Sequence, residues 1–417
     1  MNQPLRPIGA IAILLAVMFC ADNSAAYSVL THEELIDLAW NDSIRPLLLA
    51  RFPGATEAQL LEAHAYAYGG CAIQDMGYYP FGKRFFSNLT HYVRTGDFVS
   101  WLLVNARSID ELAFAIGALS HYLGDTIGHS EAINPATALE FPKLKDKFGP
   151  SVTYGEDPHA HIRTEFAFDV EEITNTEFAP PAYLRYVGFN VPRKYLERAF
   201  VSTYGFDIHE VLGRAHPALH SYKTSVRSFI PFFAEAEVVL HRHQFPPEPD
   251  NAEYHRFAEE VARTNYERRW KHTYRGPGWK AHLAAILVFL VPKVGAASDL
   301  AIKIPTPDTQ ERYLRSVNHT EDVFRKTLRE LQGPVDPPLD LNNLDLDTGR
   351  RAKLGDYALA DQTYEQLLNR VSSKPGRIVP RGLKQNILDY YSSAQGGAET
   401  SKSVAEHLAV LKTMREK

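Results

Sequence analysis

Cysteine is scarce in this chain: its 417 residues include 2, Cys20 and Cys71, against 17 histidines. So low a count excludes a disulfide framework and a thiolate metal site, so any bound metal must take nitrogen and oxygen ligands. Excess positive charge is also missing. Lysine and arginine number 45 and aspartate and glutamate 50, for a net charge of −5. The chain therefore lacks the basic footprint that binding a nucleic-acid duplex requires. Beyond the N-terminus no apolar run is long enough to cross a bilayer. There is no internal repeat, no glycine-rich phosphate loop and no locally supported Ser/His/Asp signature. Alternating strand patterns are few, which leaves a mostly α class. The length allows about two or three domains.

The N-terminus reads as a leader. Arg6 precedes an apolar run from Ile8 to Cys20, followed by Ala-Asp-Asn-Ser24-Ala-Ala26. A basic start, an apolar stretch and a small-x-small site predict a signal peptide over 1–26 and a secreted or periplasmic protein beginning at Tyr27. Phe19 stands before Cys20 where a lipoprotein signal needs a small residue, which argues against a lipid anchor. Cleavage removes one charge of each sign and leaves Cys71 as the last cysteine, so no intrachain disulfide is expected.

Most informative is the stretch His121-Tyr-Leu-Gly-Asp125-Thr-Ile-Gly-His129. Four residues advance about 400° around a helix, so each step drifts by about 40°. His121, Asp125 and His129 thus share one helix edge: a ligand face for a zinc-type ion, or a polar face of hydrogen-bonded histidines. A capping box at Ser108 and Glu111 opens this helix, predicted over 109–131. Leu112, Ala115, Ile116, Leu119, Tyr122 and Leu123 give it an apolar stripe. Gly117, Gly124 and Gly128 weaken it, which implies that other backbones approach closely there. Pro135 is the expected stop.

Other segments add candidates. Thr31 and Glu34 predict a capping box for an early helix, with His32 in its first turn. A helix over 57–68 is expected to end at Gly69-Gly70. The rigid aromatic loop 71–82 that follows presents Asp75, and His91 comes 16 residues later. From Pro158 a further helix places His161 and Glu165 four residues apart; His159 lacks such a carboxylate partner. The histidines at 216, 220, 241 and 243 are read as solvated or core residues. The apolar run from Leu283 to Val291 is either a buried segment or a membrane-touching patch. Helices are expected near 360–372, 381–392 and 400–415. The resulting division is a leader over 1–26, a helical domain over 27–270 and a C-terminal helical extension over 271–417.

In order, His32, Asp75, His91, His121, Asp125, His129, His161 and Glu165, with their HxxxD and HxxxE steps, resemble the zinc-dependent phospholipase C family over residues 27–170. That family shares its helical bundle with the fungal single-strand nucleases. The run from Gly69 to Gly82 and Val291-Pro-Lys-Val-Gly295 resemble a bacterial branch of it. The resemblance implies a cleft holding three zinc ions. His121, Asp125, Asp75 and His91 would hold one, with Asp75 also the base or orienter of the attacking water. His129, His161 and Glu165 would hold a second. His32, a shared Asp125, and the amino nitrogen and carbonyl oxygen of Tyr27 would hold a third. Tyr27 replaces the family's usual Trp, Gln74 its frequent Pro, and the four-residue step to His129 is shorter than usual. The implied activity is hydrolysis of a phospholipid, with peripheral membrane contact. The alternatives are a 3′-nucleotidase or single-strand nuclease of the same superfamily, or a non-catalytic protein that zinc only stabilises.

Overall fold

A computed structural model describes residues 28–270, 276–290, 302–332, 341–374, 376–393 and 401–416. The leader and Tyr27 lie outside the described residues, as do Val291-Pro-Lys-Val-Gly295. The architecture is the expected mostly α one. Its described strands are two short segments, Leu344–Asp345 and Arg350–Arg351, paired antiparallel.

The helices that position the site are α1 (Val29–Ala39), α2 (Glu57–Gly70), α3 (Arg84–Tyr92), α4 (Ile109–Gly128), α5 (Pro158–Thr174), α6 (Ile230–His241), α7 (Trp279–Leu290) and α8 (Pro307–Gln332). α4 is the axis. Its predicted stripe of Leu112, Ala115, Ile116, Leu119, Tyr122 and Leu123 is buried throughout, against α2, α8 and α1. α8 brings Tyr313, Val317, Phe324 and Leu328 into the same core, with Tyr313 stacked on Phe168 of α5 at 4.5 Å. Residues well beyond 270 thus pack into the bundle around α4. Helices Ala358–Ser372, Arg381–Ser392 and Lys402–Thr413 follow, near the predicted places.

The glycine argument is met at α2 and α4. A β-carbon on Gly117 would stand 2.1 Å from Ala67 O, and one on Gly70 2.1 Å from Phe114 O. Only hydrogen in place of a side chain lets the two backbones meet.

Three local expectations are corrected. Thr31 does not cap α1, which begins earlier at Val29. Asp169, from α5, accepts the Leu30 and Thr31 N–H groups at 3.1 Å each and the Thr31 hydroxyl at 2.7 Å. A remote carboxylate fills the role assigned to a local box. Ser108 does accept from Glu111 N, but Glu111 accepts from Arg107 N, so the box is not reciprocal. Pro135 does not stop the chain's helical course. His129–Ile133 forms one wide turn, closed by Asn134 N donating to His129 O, and helix resumes over Asn134–Glu140. The wide turn absorbs the break in the hydrogen-bond ladder that a proline imposes.

Candidate metal centre

Four helices and two turns deliver the predicted donors. α1 carries His32, α3 His91, α4 His121 and Asp125, and α5 His161 and Glu165. A tight turn over Ile73–Tyr78 carries Asp75, and His129 opens the wide turn after α4. Three groups result: His32 with His121 and Asp125; Asp75 with His91 and His121; His129 with His161 and Glu165. Within each, the donor atoms lie within 4.8 Å of one another, and every member is buried.

Asp125 joins the first two groups. Its Oδ1 lies 3.2 Å from His32 Nε2, and its Oδ2 lies 3.0 Å from His121 Nε2 and 3.3 Å from His91 Nε2. Asp75 Oδ1 stands 3.2 Å from His91 Nε2 and 3.9 Å from His121 Nε2. In the third group Glu165 Oε1 lies 2.7 Å from His161 Nε2 and 3.6 Å from His129 Nε2. The one helix edge read from 121–129 therefore serves more than one group. His32, His161 and Glu165 are buried. His159 is exposed and stands in none of the three groups.

Both oxygens of Asp75 and Asp125, Glu165 Oε1, and Nε2 of His121, His129 and His161 are buried without a hydrogen-bond partner. Orphaned buried polar atoms cost on the order of 1–3 kcal/mol each, and here they converge. A divalent cation in each group would satisfy them together. The far side of three rings is already fixed: Nδ1 of His91 meets Ser87 O at 2.7 Å, that of His121 meets Cys71 O at 3.0 Å, and that of His129 meets Leu346 O at 2.8 Å. A carbonyl can only accept, so Nδ1 carries the proton and Nε2 keeps its lone pair toward the group, as in metal-ligating histidines.

The charges pull against burial. Burial works to lower the His91 pKa, but the carboxylates of Asp125 and Asp75, 3.3 and 3.2 Å from its Nε2, outweigh it and carry it well above the imidazole range. Burial would raise the Asp125 carboxyl, yet His121, His32 and His91 hold it well below its usual range. Burial, then the charge of His129, drives His161 well down. Burial and the neighbouring carboxylates Asp75 and Asp125 drive Glu165 well up.

Sequence reasoning missed the outer partners. Leu346 and Asp347 lie far along the chain, with no spacing that ties them to His129. Ser87 is one helical turn before His91 and is the readable exception. Sequence reasoning also passed over two further pairs, one of them buried. Glu237, four residues before His241, lies 3.2 Å from it. His64 lies 3.0 Å from Asp37 and stacks on Trp40 at 3.8 Å.

An α-helical bundle with three His/carboxylate groups inside it is a metallohydrolase architecture in donor chemistry. Residues 31–211 match the family described as zinc dependent phospholipase C, which is the family this stretch is similar to. No curated protein and no solved structure matches the chain. The family is zinc-dependent, and nitrogen and carboxylate donors are what zinc takes in the absence of thiolate.

Proposed function

We propose that this protein is a secreted phospholipase C that cleaves a phospholipid to diacylglycerol and a phosphorylated head group. The observation that carries the reading is the convergence of three buried His/carboxylate groups, two of them joined by Asp125. His121, Asp125, Asp75 and His91 would hold one zinc ion, and His129, His161 and Glu165 a second. His32, Asp125 and the backbone of Tyr27 would hold a third, so cleavage after Ala26 would complete the site. Bound zinc supplies Lewis acidity and lowers the pKa of water. Asp75 would orient that water and take its proton, a role supported by its Oδ2 being buried with no hydrogen-bond partner. Asp75, Asp125 and Glu165 offset half the charge of three divalent ions, so the site suits an anionic phosphodiester. Glu165, where the superfamily's nucleases carry Asp, favours a lipid over a single-stranded nucleic acid.

Membrane contact draws support from α7. Ala281, Ala285 and Val288 are buried, Val288 beside Phe233 of α6. Trp279, Leu283, Ile286 and Phe289 point outward, with Trp279 73% and Phe289 74% exposed. Lys280 stands beside Trp279 at the start of this helix, its Nζ 5.9 Å from the ring centre. An exposed apolar stripe with aromatic ends and a lysine beside one of them suits the interface of an anionic bilayer. Among the described residues no helix is long and apolar enough to cross a membrane.

The test pairs elemental analysis with hydrolysis. Native protein is expected to carry zinc and to release diacylglycerol from phosphatidylcholine faster than it degrades single-stranded DNA. His121→Ala and Asp125→Ala are each expected to abolish metal and activity together. Native protein without bound metal would sink the proposal; metal-loaded protein that cuts only DNA would move it to the nuclease reading.

A further inference from the structure

The third donor group has a partner far along the chain, outside the matched region 31–211. The segment 342–347 returns to α4 and is pinned there: Tyr122 donates to Asn342 O at 2.7 Å and Thr95 to Leu344 O at 2.7 Å. Leu346 O then accepts from His129 Nδ1 at 2.8 Å, and Asp347 Oδ1 stands 3.7 Å from the same nitrogen. Asp347 is itself held on every side. Its Oδ2 accepts from Tyr92 at 2.8 Å and Tyr357 at 2.5 Å. Its N–H donates to Asp345 at 2.9 Å, and its carbonyl accepts from Asn134 at 2.8 Å. Only 3% of it is exposed.

We propose that Asp347, with the Leu346 carbonyl, is a positioning residue for a divalent cation held by His129, His161 and Glu165. This rests on the metal-centre reading above and extends it. Two arguments separate the role from packing. First, the third group has one carboxylate, Glu165, against a double positive charge; Asp347 adds the second, through the His129 ring. The Leu346 carbonyl fixes the tautomer of His129, and the carboxylate behind the ring, 3.7 Å from Nδ1, strengthens it as a donor through its charge. Second, the two tyrosines need only an acceptor oxygen, which an asparagine would also give. The full charge is needed only at the His129 side. The same segment also reaches the other groups, since Leu346 N donates to His91 O at 3.0 Å and Tyr92 follows His91 directly. Metal occupancy and the docking of a C-terminal segment are thereby linked.

The experiment is titration of the metal-free, full-length protein with zinc and with cobalt, the latter followed by its visible absorption. Asp347→Asn keeps the volume and the tyrosine acceptor and removes the charge. It is expected to weaken one metal site by about 10–100-fold and to leave the other affinities and the metal-free melting temperature unchanged. Asp361→Ala, which removes the acceptor of the Tyr390 hydroxyl and the Gly355 N–H in the same C-terminal region, is expected to lower melting and leave every metal affinity alone. If Asp347→Asn binds every ion as tightly as wild type, the proposal is overturned while the metal centre stands. If wild type binds no divalent cation, both fall. Should Asp347→Asn fail to fold, histidine nitrogen NMR of the cadmium-loaded wild type decides. His129 protonated at Nδ1 and coupled to cadmium through Nε2 supports the role, and the opposite arrangement overturns it.

Discussion

Replacing Gly117 with alanine sets two physical effects of opposite sign against each other. In a helix interior alanine is favoured over glycine by about 1 kcal/mol, so propensity alone would stabilise α4. The packing reverses the sign. The new β-carbon would stand 2.1 Å from Ala67 O, 2.8 Å from Cys71 N and 2.9 Å from Gly70 Cα. All three are backbone atoms, which cannot rotate aside. Ordinary contact begins near 3.4 Å, so α2 and α4 must separate by more than an ångström. Overpacking of this kind costs about 1–3 kcal/mol, and rigid neighbours place it at the upper end. The expected net loss is about 2 kcal/mol, read as a lower urea midpoint at unchanged slope. The separation also pulls Cys71 O from His121 Nδ1, now 3.0 Å apart, so zinc affinity falls with stability. Gly124→Ala is the comparison: its β-carbon meets only side-chain atoms of His32 and Leu35, the nearest at 3.1 Å, and it should perturb His32 more than the fold. A Gly117→Ala protein as stable as wild type, or more so, refutes the close-approach argument.

Glu321 gives a pH signature remote from the metal groups. Burial pushes its pKa up to about 7, with Arg325 opposing and Glu260 and Asp42 adding to the rise. The folded protein therefore holds a proton that the unfolded chain has released above 4.5. The stabilisation is complete below that pH and is lost as pH rises through about 7, on the order of 3 kcal/mol in all. Glu321→Gln should flatten unfolding free energy across this window, and an unchanged slope would show that Glu321 is not its source. Chelation is expected to lower the melting temperature: ligand at a thousandfold over its dissociation constant contributes about 4 kcal/mol, and equal melting with and without chelator would argue that no ion is held in the folded state. Trp279→Ala with Phe289→Ala should reduce sedimentation with anionic vesicles while leaving zinc content intact; undiminished binding would place the membrane face elsewhere.

The mostly α class was legible because apolar spacing on α4 and local caps act within one or two turns of chain. A reciprocal box that the sequence reading passed over stands at the start of α2, the Thr56 side chain accepting from Gln59 N while Gln59 accepts from Thr56 N. What failed locally failed for tertiary reasons. Thr31 lost its assigned cap role because Asp169 arrives from 138 residues away. The break expected at Pro135 was absorbed by a change in helix pitch that no residue type announces.

The site divides along the same line. His121–Asp125 and His161–Glu165 could be found because a four-residue step survives in any helix, whatever packs around it. Asp75 and His91 have no shared step, and only the family resemblance places them beside the others. The outer partners of the rings, Ser87 one turn before His91 excepted, were beyond reach for a different reason. Each is a backbone carbonyl, at Ser87, Cys71 or Leu346, and a carbonyl belongs to every residue type. Sequence can mark a donor side chain, but the atom that fixes its tautomer is chosen by where the chain returns. At His129 that return comes 217 residues later, and there a side-chain charge, Asp347, accompanies the carbonyl. That carboxylate is the one outer partner of these rings that point mutation can delete without moving the backbone. It therefore offers direct experimental access to how the C-terminal third acts on the centre.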